Sequence, residues 1–68
     1  MLDQQEREYI AATAALMRWT ASEIQTCVGQ LRTFPAPQIH LIANKIDAET
    51  EALIEGAEAI EPLTRTPQ

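Results

Sequence analysis

Phe34-Pro35-Ala36-Pro37 divides this sequence and decides its fold. A proline inside a helix removes a backbone donor and clashes with the preceding turn, and the residue before it is pushed out of the helical region. Two prolines two positions apart therefore stop one helix, while Pro37 suits the first turn of the next. No proline interrupts the chain before this break, and none interrupts it afterwards until Pro62, with Pro67 close to the end.

Upstream of the break, Asp3 followed by Glu6 is the pattern of a capping box, which predicts a helix starting there. Apolar or small residues then recur at Ile10, Ala14, Met17, Ala21, Ile24, Val28 and Leu31, spaced alternately by four and three. That alternation is the heptad seam of a packed helix. Thr20-Ala21-Ser22-Glu23 repeats the capping signature, so a kink near Thr20 is the alternative to one continuous helix. The seam keeps its phase across this point, and the expectation is one helix over about 4–33. Gly29 lies off the seam, where it weakens the last turns without ending them.

Downstream, Ile39, Ile46, Leu53 and Ile60 repeat every seven residues, and Ile42, Ala43, Thr50, Ile54 and Ala57 widen the stripe. This predicts a second helix over about 37–61 with an apolar face that must be covered. A turn over 34–37 makes the pair an antiparallel hairpin, an all-α fold in one domain over 1–61. Residues 62–68 lack periodicity and are expected to form a flexible tail. Two helices leave much of each stripe wet, whereas two hairpins enclose both stripes in one core. The expectation is a homodimeric four-helix bundle built on Ile10, Met17, Ile24, Val28, Leu31, Ile39, Ile42, Ile46, Leu53 and Ile60.

Composition narrows the function. Sixty-eight residues allow one small domain and leave no room for a deep pocket of its own. At 46% hydrophobic with two glycines, the chain is too apolar for disorder and too glycine-poor for a turn-rich β fold. Five Lys and Arg against ten Asp and Glu is the wrong sign for gripping phosphates, so direct nucleic-acid binding is not expected. No apolar run approaches the ~20 residues that span a bilayer, and the N-terminus lacks a secretory pattern. Cys27 has no second cysteine for a disulfide or a zinc pair, which favours the cytoplasm. No phosphate loop, nucleophile elbow or paired nucleophile and base is present, so no enzyme and no cofactor is expected.

Three surfaces remain. At 100° per residue, Trp19 falls opposite the seam with Ala12, Ala15, Ser22 and Thr26 around it, a large aromatic among small neighbours. Trp is enriched among residues that anchor partners, which makes Trp19, Ala15 and Ser22 partner-binding candidates. Were the helix kinked at Thr20, Trp19 would instead turn inward as core. Tyr9, Leu16, Cys27 and Phe34 flank the main seam and read as dimer core, with Cys27 a small buried hydrophobe. On the second helix, Asp47, Glu51, Glu55 and Glu58 share roughly a quadrant, and residues 35–68 hold six acids against Lys45 and Arg65. Such a run is either a solvated face or a docking surface for a basic partner. His40, Asn44, Asp47 and Glu51 have helical spacing, but a single His with dispersed carboxylates is a poor metal pattern, and no metal site is assigned.

The expectation is a small acidic regulator or inhibitor that binds and masks a larger protein, such as a basic DNA-binding transcription factor. In size and layout the chain also resembles the small helical chaperones of bacterial secretion systems, which implies the alternative of a co-chaperone or assembly subunit holding a partner helix through its apolar stripe. It is similar in layout, too, to plasmid-encoded helical-hairpin dimers that act on RNA, a role its charge opposes. Neither likeness rests on a residue motif, and no functional residue is carried over from either.

Overall fold

A computed structural model describes residues 2–65 of the chain. Helix α1 runs Gln4–Leu31, α2 runs Pro37–Ile60, and a short 3-10 turn follows over Glu61–Thr64. The two helices lie against each other in a rod with extents of 52 × 15 × 14 Å.

The start of α1 is the capping box read from the sequence. The Glu6 N–H donates to Asp3 Oδ1 at 2.8 Å, and the Asp3 N–H donates to Glu6 Oε1 at 3.1 Å. Two of the backbone donors that a helix start leaves unpaired are thereby satisfied. Arg7 adds a bond from Nη1 to the Leu2 carbonyl at 2.8 Å. From there α1 continues through Thr20 as one α-helix, so the second capping signature is not used and Trp19 does not turn inward. A cap residue needs extended backbone, and Thr20 is held in the helix by the seam on both sides of it.

Helix α1 ends when the Thr33 and Phe34 N–H groups bond back to Gln30 and Leu31. These are the tightened i to i+3 bonds of a closing turn. Ala36 is the N-cap of α2 with no side-chain cap, and Pro37 takes the first helical position. The turn is held from the α2 side by His40, whose Nε2 donates to the Phe34 carbonyl at 2.6 Å. Beyond α2, the stretch expected to be a flexible tail from 62 begins instead with the 3-10 turn, where Pro62 sits within the first two positions. That turn packs against the start of α1, and the Thr64 hydroxyl donates to Glu61 O at 2.7 Å. Residues 66–68 of the expected tail lie outside the described residues.

The heptad repeat explains the packing once its positions are lettered a to g. Ala14, Ala21 and Val28 on α1, and Ala43, Thr50 and Ala57 on α2, occupy position a, and all six are buried. Thr50 satisfies its hydroxyl by donating to Ile46 O at 2.8 Å, as a buried polar group must. The larger residues four positions away, at d, are Ile10, Met17, Ile24 and Leu31 facing Ile39, Ile46, Leu53 and Ile60, and each is only half-buried. The hairpin core is therefore made by its smallest side chains. Of the residues expected as core, Val28 alone is fully buried in the hairpin, and Ile42 is 55% exposed because it stands one position further round, at g. Small residues let two helices approach closely, and the bulky d side chains then splay to one side.

Two substitutions test this packing. Ala21→Leu puts three extra carbons into a closed seam and should destabilise by about 1–3 kcal/mol, the range for overpacked cores. Gly29 is exposed on α1 with open space where a Cβ would stand, so Gly29→Ala should stabilise by up to about 1 kcal/mol. Thermal unfolding followed by circular dichroism should show Ala21→Leu melting below the parent protein and Gly29→Ala above it.

Candidate functional site

The hairpin has two unlike flanks. On one, the e positions of the two helices meet: Arg18 pairs with Glu61, and Arg32 pairs with Asp47. Opposite charges at e positions set the orientation and register of paired helices. The hydrogen bond from Arg18, helped by its charge and that of Arg65, holds the Glu61 carboxyl below its ordinary value. The same bond raises the Arg18 guanidinium. Both groups are exposed, so the pair is a modest contributor to stability.

The other flank carries the apolar stripe. Position g holds Glu6, Thr13, Thr20, Cys27, Phe34, Ile42, Glu49, Gly56 and Leu63. Met17 leans over Gly56: a Cβ built on that glycine would stand 2.9 Å from Met17 Cε. Along this side the half-buried d residues meet exposed Phe34, Ile42 and Leu63, with exposed Tyr9 and Leu16 at the margin of α1. Cys27 stands here too and is exposed rather than buried. A g-position side chain looks away from the antiparallel partner, and the hairpin has nothing to place over it.

The outward surfaces are mostly polar or small, with Trp19 and Leu41 as large apolar exceptions. Trp19 is 63% exposed on the back of α1. Around it Ala12, Ala15, Ser22 and Thr26 are all exposed, and the Thr26 hydroxyl is turned onto Ser22 O at 3.1 Å. On α2, Glu51, Glu55 and Glu58 are exposed. Asp47 is separated from them by its role: its carboxylate is engaged by Arg32, so the free acidic group has three members rather than four. His40 is likewise occupied at the turn, and Asn44, Asp47 and Glu51 border a shallow polar depression together with Gln25 and Ala48. Among the described residues, no group of three or more His, Cys, Asp and Glu converges. A second shallow depression, of about 300 Å³, lies at the start of α1 between Leu2, Asp3, Gln5, Glu6, Tyr9 and Ile10.

Periodicity located the seam but not the polar contacts that flank it and close the turn. The turn-locking role of His40 has no sequence signal beyond its position six residues after Phe34. The interhelix ion pairs join residues 43 and 15 positions apart and depend on the register of the hairpin. Among the described residues, no helix is long and apolar enough to cross a membrane. The chain matches no known family model, no curated protein and no solved structure at a significant level.

Acid should weaken the Arg18–Glu61 pair. A carboxylate with a lower pKa folded than unfolded stabilises the fold fully above the unfolded value, 4.5, and that stability is lost as the pH falls through the folded value. Glu61→Gln should therefore melt slightly below the parent protein at neutral pH, and the gap should close once the pH has fallen through that window. Melting temperatures of the two proteins across an acid series check this.

Proposed function

We propose that the chain is a non-catalytic, dimeric helical interaction module of the cytoplasm, a regulator or inhibitor that binds and masks a larger basic protein. What carries this reading is the segregation of the surface. Apart from Trp19 and Leu41 on the outer sides of α1 and α2, the large apolar side chains that the hairpin leaves uncovered gather on or beside one flank, while Glu51, Glu55 and Glu58 stand exposed on the outer side of α2. A two-helix rod with only shallow depressions offers little for a small substrate. It offers a long surface to another macromolecule. Residues 35–68 carry a net charge of −4 out of the chain's −5. Complementary potential speeds encounter with a basic surface and disfavours acidic ones. A DNA-binding face of a transcription factor is a target of this kind. Trp19, with Ala15 and Ser22 beside it, supplies an apolar anchor for the same or a neighbouring contact.

A co-chaperone is the second reading, favoured by the uncovered apolar stripe itself. In that case the stripe holds a helix of another protein, and the isolated chain binds apolar dyes and melts without cooperativity.

Affinity capture from native cell extract separates the faces. The regulator reading expects one basic partner retained by the parent protein. That partner should be lost or weakened tenfold or more when Glu51, Glu55 and Glu58 are all changed to Gln, and Trp19→Ala should weaken it separately. The purified complex should weaken steeply with added salt. An affinity unchanged between low and high salt removes the electrostatic basis of the reading.

A further inference from the structure

The sequence repeats every seven residues on both helices, yet the hairpin uses only half of each repeat. Position a is closed by Ala14, Ala21, Val28, Ala43, Thr50 and Ala57, whereas every d residue from Ile10 to Leu31 and from Ile39 to Ile60 is only partly covered. We propose that the flank formed by positions d and g, centred on Met17, Ile24, Ile46 and Leu53, is the seat of the same flank of a second copy. The two hairpins then close a four-helix core. This rests on the dimeric module proposed above and states where its two copies meet.

Three observations favour a second copy as the occupant. The first is area. The chain exposes 5253 Å², whereas a globular monomer of 7.6 kDa exposes roughly 4,300 Å². The excess is comparable to the ~800 Å² that each partner buries in an interface of standard size. The radius of gyration points the same way, at 15.8 Å against about 11 Å for a compact chain of this length. Laying two thin rods side by side doubles one short axis and takes up most of the excess surface.

The second is the shape of the stripe. It runs along both helices in matching heptads, so a two-fold axis through its middle brings like positions against each other over the full length. Such an interface is isologous and closes on itself. Thr20 and Gly56, both small, lie near the middle of the stripe, where Met17 already crosses onto α2. A short helix from an unrelated protein would cover one groove and leave the rest of the stripe wet.

The third is charge. A chain of net charge −5 repels its own copy unless the charges lie outside the contact. None of the eight d residues is charged, and within the stripe the acidic exception is Glu49 at g, with Lys45 one turn earlier. Glu6 stands at the far end. Glu51, Glu55 and Glu58 point away, and the ion pairs of Arg18 and Arg32 occupy the opposite flank. The placement also shields Cys27, which is exposed in the single hairpin and stands at a g position beside Ile24 and Leu31.

Sedimentation equilibrium over the micromolar range tests this with the full chain, Leu53→Lys, Met17→Lys and an outer-face control, Leu41→Lys, at a residue 69% exposed. A lysine on the stripe enters the interface twice, so the two stripe variants should dissociate at concentrations about a hundredfold higher or more. The control should match the parent protein. Maleimide labelling of Cys27 gives a second readout that does not depend on the variants folding. In the parent dimer, Cys27 should react at least tenfold more slowly than the thiol of glutathione at the same pH. A parent protein that is monomeric throughout, with Cys27 labelling freely, overturns both the dimer and its face. A dimer that survives Leu53→Lys and Met17→Lys, or one in which Cys27 labels as fast as glutathione, overturns this face and leaves self-association through another. A chain that stays monomeric and binds apolar dye assigns the stripe to a different protein.

Discussion

Everything in this hairpin follows from the contact of small side chains at one position of the heptad. Ala14, Ala21, Ala43 and Ala57 lie at the line where the helices touch, and none of them holds the backbones apart. Close approach leaves no room between the helices for Met17, Ile24, Ile46 or Leu53. Those residues are pushed to the flank, where each is covered on one side by the neighbouring helix and open on the other. Hydrophobic stabilisation scales with the apolar area removed from water, at about 25 cal/mol per Å². A core of alanines, one valine and one threonine removes little of it. The largest apolar side chains of the chain are therefore ones that the hairpin covers only in part.

Electrostatics completes the asymmetry. Four of the e positions are charged and joined across the helices, Arg18 with Glu61 and Arg32 with Asp47, which gives this flank a defined register. Sliding one helix along the other would separate both pairs and misalign the alanine seam. The exposed pairs contribute less to stability than to the choice among registers. With these two arginines engaged, Glu51, Glu55 and Glu58 stand exposed on the outer side of α2, and the field of the protein is carried by its C-terminal half. A molecule built this way presents an apolar flank and an acidic outer surface in different directions. Self-association through the first would leave the second, and Trp19, available to another protein.

The turn shows how a short sequence makes a sharp reversal without glycine. Phe34, Pro35 and Ala36 pass between the helices with no positive backbone φ among the described residues. The Phe34 carbonyl is claimed by His40 from the next helix, and Pro37 begins that helix at a position where its missing N–H has no consequence. The reversal is thus stiffened from both sides, which limits the angles at which α2 can leave the turn.

Local rules carried the reading of the chain a long way. Proline chemistry placed the break, the Asp3–Glu6 pattern placed the start of α1, and strict heptad spacing marked which side of each helix is apolar, because all three depend on neighbours within one or two turns. The exposure of Trp19 on the back of α1 follows from the same geometry once the helix is continuous. Burial did not follow. Periodicity treats Ala14 and Met17 as equal members of one stripe, and the packed hairpin separates them, since the distance between helices is set by the smallest residues at the contact. Cys27 and Ile42 read as core for the same reason and stand exposed, at positions a single antiparallel neighbour cannot reach. Asp47 read as a member of an acidic stripe and is tied to Arg32, and exposed His40 takes a bond to the turn that its spacing did not announce. Each of these depends on which residue of one helix comes to lie beside which residue of the other, a relation between distant parts of the chain that exists only once the two helices have packed.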